Sequence, residues 1–234
     1  MAVFVLVPGA WLGGWCWRGV EADLRAAGHT VISATLTGLG ERSHLLTREI
    51  DLDTHVTDIV QLVRFRDLNR VTLVGHSYGG TVVTAAAEQM ADRIQCLIYL
   101  DASIPGDGES NDDVIGPLMA AQLRAAADQD GDGWRVPPAP SVAARLADPG
   151  LRTWVAARLT PHPLRTFSEP VKLRSRQAAD LPRGFIQTTQ SELYDRLGTR
   201  AREAGWHCRE LGGGHYAMLT QPHAVATALH EVPA

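Results

Sequence analysis

At 234 residues, with 45% hydrophobic and 21% charged side chains, the chain suits one α/β domain with a sizeable core and is too apolar for wholesale disorder. Its net charge of −4 offers no basic field, which argues against a nucleic-acid partner. The three cysteines, Cys16, Cys96 and Cys208, are odd in number and lack metal-ligand spacing, which points to a reducing compartment.

Ala2 to Val7 is a continuous apolar run rich in β-branched residues, as expected of a strand buried on both faces. It carries no basic segment before it and stops at Pro8-Gly9, too short for a leader or a membrane span. A cytoplasmic protein is therefore expected. Pro8 to Gly14 is a glycine-rich loop, followed by helical spacing over Trp15 to Ala27, closed by Gly28. Thr30 to Leu36 reads as a second strand, and Thr37 to His44 as a loop on the same edge. Asp53 is the expected N-cap of a helix from Thr54 to about Arg66.

Val71 to Val74 is the next strand, and it ends in Gly75-His76-Ser77-Tyr78-Gly79-Gly80. Gly-x-Ser-x-Gly between an apolar strand and a helix-compatible run is the pattern of a nucleophile elbow. Residues two positions either side of a serine in so sharp a turn must lack a Cβ, and backbone N–H groups at the helix start then face the site. Ile94 to Leu100 is a fourth strand, terminated by Asp101. From Pro105 to Leu181 the alternation lapses and glycine, proline and aspartate cluster, with helical segments near 117–128 and 151–159. The pattern predicts a cap insertion at 105–181 within a core formed by 1–104 and 182–234. Strand–helix alternation resumes with a strand at 184–189, a helix at 192–204, a strand at 206–211, the loop Gly212-Gly213-Gly214-His215 and a closing helix at 222–231.

Six strands alternating with helices predict a mostly parallel sheet covered on both faces, with ligands bound at the carboxyl ends of the strands. Ser77, Asp101 and His215 all follow strands and converge on that edge. A serine hydroxyl needs a base. Of nine histidines, only His215 follows the last strand in a glycine loop, so it is the candidate base. The orienting acid has two candidates in chain order, Asp101 and Glu192, of which Asp101 is favoured. The backbone N–H groups of Ala10 and Tyr78 are the candidate oxyanion donors. Trp11, Trp134 and Trp154 either line an apolar substrate pocket or join cap to core. Arg42 reads as a surface ion pair or a carboxylate contact.

Val7-Pro8-Gly9-Ala10-Trp11, Leu36-Thr37-Gly38-Leu39-Gly40-Glu41-Arg42, the elbow, Tyr99-Leu100-Asp101-Ala102 and Gly214-His215 resemble bacterial esterases of the α/β-hydrolase superfamily. Those are similar to the plant methylesterase and hydroxynitrile lyase group. The resemblance covers nearly the whole chain and implies a Ser77–His215 dyad with an acid, no metal and no organic cofactor. In two places the chain departs from that pattern: Pro8 stands where the family usually has histidine, and the customary acid after the penultimate strand is missing, which puts weight on Asp101. Hydroxynitrile lyases of the group carry threonine on the first strand and lysine directly after the histidine. Here Val5 and Tyr216 stand there, which disfavours cyanohydrin cleavage. The expectation is a serine esterase acting on a small hydrophobic, aromatic or polyketide-like ester or lactone. A lyase or cyclase using the same pair, or a non-catalytic small-molecule receptor, are the rival readings. The expected partner is a small-molecule substrate, with no nucleic acid and no membrane, and a homodimer is left open.

Overall fold

A computed structural model of the chain describes residues 1–190 and 194–232. Six strands form one sheet: β1 (Val3–Val7), β2 (Thr30–Ser33), β3 (Val71–His76), β4 (Ile94–Leu100), β7 (Arg183–Thr188) and β8 (His207–Leu211). Their order is β2-β1-β3-β4-β7-β8, and every neighbouring pair is parallel. Two short strands, β5 (Arg135–Val136) and β6 (His162–Pro163), pair antiparallel apart from it.

The apolar runs of the central strands divide by alternation. Val5 and Val7 pack on one face with Leu73 and Leu97, whereas Phe4 and Leu6 pack on the other with Val74 and Ile98. On the first face lie α2 (Leu52–Phe65) and α3 (Gly79–Met90), which bury Val56, Ile59, Val63, Val82 and Ala86. On the second lie α1 (Arg18–Ala26) and the C-terminal helix Pro222–Glu231, with Val20, Leu24, Val225 and Leu229 turned inward. Each such side chain contributes roughly 1.5–3 kcal/mol by leaving water.

The predicted strands and helices are present, with differences that have physical causes. The N-cap of α2 is Asp51, not Asp53: its carboxylate accepts from Thr54 N–H at 2.8 Å, and Thr54 completes a capping box. The second strand ends at Ser33, and Ala34 N–H makes one last bond to the Leu6 carbonyl before the chain turns away. The helix expected over 192–204 is seen as Asp195–Glu203. Between β4 and β7 the chain forms a 14-residue helix, Pro117–Asp130, several shorter helices and the β5–β6 pair. Among the described residues, no helix is long and apolar enough to cross a membrane.

Candidate active site

Ser77 follows β3 with φ of +54°, a left-handed conformation that costs a residue bearing a Cβ. The flanking glycines make it tolerable. A Cβ on Gly75 would lie 2.6 Å from the Gly79 carbonyl oxygen, and one on Gly79 would lie 2.6 Å from that of Pro8. The elbow is therefore wedged against the loop after β1. Asp101 at the end of β4 is also left-handed, at φ +44°, and its N–H donates to the Ile186 carbonyl at 2.8 Å. The bend at Asp101 leaves its carboxylate fully buried at the centre of the strand ends.

His215 joins the two. Its Nδ1 lies 2.6 Å from Asp101 Oδ2 and its Nε2 lies 3.1 Å from Ser77 Oγ. A carboxylate only accepts, so Nδ1 donates to Asp101 and Nε2 is left to accept the Ser77 O–H. The other carboxylate oxygen of Asp101 accepts from Thr188 N–H at 3.3 Å. Serine, imidazole and carboxylate thus form one hydrogen-bonded row, able to take a proton from the hydroxyl and return it to a leaving group. Glu192, the other acid considered from sequence, lies outside the described residues.

Beside the row opens a cavity of about 1530 Å³ whose wall includes Ala10, Trp11, Ser77, Leu123, Tyr194 and His215. The N–H groups of Ala10 and Tyr78 have no acceptor among the described residues. Trp11 has φ of +64° and is gripped from the β4–β7 segment: its indole N–H donates to the Val136 carbonyl at 3.1 Å, and its carbonyl accepts from Thr160 N–H at 3.2 Å. Trp134 and Trp154 are not brought to the cavity. Trp154 meets Trp15 edge-on at 5.2 Å and lies under the guanidinium groups of Arg18 and Arg158, at 4.3 and 4.2 Å, so it joins the insertion to the core. Trp134 sits between Arg48 and Arg135. Arg42 pairs with Asp58 at 3.0 Å, as a surface ion pair would.

The alpha/beta hydrolase family matches the chain over residues 4–228. The chain belongs to this family. A carbendazim hydrolyzing esterase of Nocardioides sp. (strain SG-4G) is 36% identical over 246 residues, covering 98% of each chain. The pFDCC methylesterase MES16 of Arabidopsis thaliana is 30% identical over 208 residues, covering 82% of this chain and 78% of that one. Among solved structures, an extracellular alpha/beta-hydrolase of a Paenibacillus species superposes with a TM-score of 0.85 at 21% identity, covering 99% of both chains.

Four residues of this hydrolase near the row escape sequence reasoning. His76, read as a mere neighbour of the elbow, donates from Nε2 to the His215 carbonyl at 2.8 Å, and burial pushes its pKa down to about 3. His55, on α2, is buried, with Nδ1 2.9 Å from Tyr78 Oη and Nε2 2.9 Å from the Thr37 carbonyl. Desolvation pushes it down to about 4. His162 is buried against Tyr78, 4.8 Å between ring centroids, and its Nδ1 accepts weakly from Trp11 N–H at 3.5 Å. Tyr194 places its hydroxyl 3.4 Å from Ser77 Oγ. Of the four, Tyr194 could have been found from its place shortly after β7, on the ligand-binding edge.

Proposed function

We propose that the protein is a serine hydrolase that cleaves an ester or lactone of a small hydrophobic, aromatic or polyketide-like acid through an acyl-enzyme on Ser77. Its class, carboxylic ester hydrolase, follows from membership of the family and from relatives named as esterases and methylesterases over most of the chain. The observation that carries the serine mechanism is the row from Asp101 Oδ2 through His215 to Ser77 Oγ, with contacts of 2.6 and 3.1 Å.

In this reading His215 Nε2 removes the Ser77 proton as Oγ attacks the carbonyl carbon. Asp101 holds the imidazole in the tautomer that accepts at Nε2 and stabilises the cation that forms. The negative oxygen of the tetrahedral intermediate is taken by the N–H groups of Ala10 and Tyr78, which stand ready without internal acceptors. His215 then gives its proton to the departing alcohol. Water repeats the sequence on the acyl-enzyme and frees the acid.

Residues 105–181 act as a cap over the cavity, whose wall they share through Leu123 and Val136. Trp11 is the one tryptophan of the three proposed as a pocket residue whose position supports that role. The cytoplasm is the proposed compartment, on three unpaired thiols. A fluorophosphonate probe, read by mass spectrometry beside ester turnover, tests the mechanism. Stoichiometric labelling of Ser77 with parallel loss of turnover is expected. Turnover that persists after full labelling would refute it.

A further inference from the structure

The hydroxyl of Tyr194 stands 3.4 Å from Ser77 Oγ, and the acyl-transfer scheme above gives it no task. Tyr194 is almost wholly buried, and its ring lies beside that of His215, with centroids 5.7 Å apart and planes inclined by 30°. The phenol therefore flanks the nucleophile on the side of the imidazole.

Proton bookkeeping around it leaves one arrangement. Ser103 Oγ donates to Asn111 Oδ1 at 2.8 Å, and Thr81 Oγ1 donates to the same oxygen at 3.3 Å. The Ser77 proton is likewise committed to His215 Nε2. Tyr194 is thus the donor in its contact with Ser77 Oγ, and its O–H can swing, by rotation about its C–O bond, toward the other reacting oxygens. Burial raises the phenol pKa, so the hydroxyl keeps its proton at neutral pH.

We propose that Tyr194 is a catalytic hydrogen-bond donor to the leaving-group oxygen, which suits the site to esters of poor leaving groups, simple alkyl alcohols above all. The proposal rests on the serine-hydrolase reading. In acylation the bond from Ser77 Oγ to the carbonyl carbon forms, and the serine proton passes to His215. The bond from that carbon to the alkoxy oxygen then breaks, its electron pair going to the oxygen. That oxygen receives the proton from His215 and departs as alcohol. Tyr194 keeps its own proton throughout and contributes a hydrogen bond that strengthens as charge builds on the departing oxygen. An alkoxide develops much charge there and a nitrophenolate little, so the benefit differs between them.

The test compares kcat/KM for the methyl and the p-nitrophenyl ester of one acid in the parent and in Tyr194→Phe, with the rate of Ser77 labelling by a fluorophosphonate as a third reading. Fluoride leaves without help, so labelling reports the nucleophile and the fold alone. The proposal predicts a loss of roughly 10- to 100-fold on the methyl ester, in the range of one hydrogen bond to a charged oxygen. It predicts less than about threefold on the nitrophenyl ester and on labelling. Equal losses on both esters, or none on the methyl ester, overturn it. Loss of labelling as well would make Tyr194 a prop for Ser77 and overturn it too. Ser77→Ala that still turned over the methyl ester would remove the serine reading itself, a separate failure.

Discussion

His76 Nε2 donates to the carbonyl oxygen of His215 at 2.8 Å, so the residue before the nucleophile holds the backbone of the imidazole that faces it. With Nε2 donating, Nδ1 carries no proton, and the two rings lie 4.6 Å apart. A charge on His76 would place a buried cation beside the His215 imidazole. The contact therefore ties the geometry of the row to the neutrality of a buried base.

Acid lability follows. Burial holds His76 near 3, His55 near 4 and His162 well below its ordinary value. In the unfolded chain all three take up protons near 6.5. Between those values the unfolded state binds more protons, so the stabilisation from neutral burial is complete above 6.5 and is lost as pH falls toward 4 and then 3. The unfolding free energy from urea titrations should be level from pH 8 to 7 and fall below 6.5, by up to roughly 1.4 kcal/mol per pH unit for each histidine, with the midpoint following it. A midpoint unchanged between pH 7 and 5 would contradict neutral burial.

Where the loop after β1 meets the elbow, it is set by close approach. A Cβ on Gly9 would stand 2.7 Å from Ser77 Cβ and 3.0 Å from His76 Nδ1. Gly9→Ala should push the loop, and with it Ala10 N–H, off the nucleophile. We expect about 1–3 kcal/mol of destabilisation from overpacking. Turnover should fall by roughly 10²-fold as one oxyanion donor is misplaced. Thermal unfolding beside turnover checks this, and a variant as active as the parent would mean the loop does not supply a donor.

Asp101→Asn keeps the shape of the acid but offers His215 Nδ1 an amide in place of a carboxylate. The loss in turnover should be on the order of 10²–10⁴-fold with the fold intact by circular dichroism. Glu192→Gln should change turnover little, since the Nδ1 of His215 already has the Asp101 carboxylate as its partner at 2.6 Å. A large loss for Glu192→Gln beside near-normal Asp101→Asn would reverse the assignment of the acid.

The sheet was legible in the sequence because its central strands are buried on both faces and so read as apolar runs, Val3 to Val7 and Cys96 to Leu100 among them. Ser77 and His215 were legible because sterics force glycine around a serine in a tight turn, and because a base must follow a strand to reach it. Local chemistry blurred the start of α2, where Asp51 and Asp53 are both competent caps and only the reach to Thr54 decides. The supporting shell was not legible. His55, His76 and His162 carry no local pattern, and their burial arises from contacts between segments more than twenty residues apart. Trp154 illustrates the same limit: an aromatic in the insertion can face substrate or core, and Trp15, far off in sequence, settles it.

The central claim is an acyl group carried on Ser77. It is met most directly by mixing the protein with a p-nitrophenyl ester, quenching within milliseconds, and locating the added mass by peptide mass spectrometry. The account predicts a burst of nitrophenolate matched by an acyl adduct on the peptide containing Ser77. It further predicts that both vanish in Ser77→Ala, with turnover down on the order of 10⁴-fold or more. Steady turnover with no adduct, and a Ser77→Ala variant that keeps its rate, would contradict it.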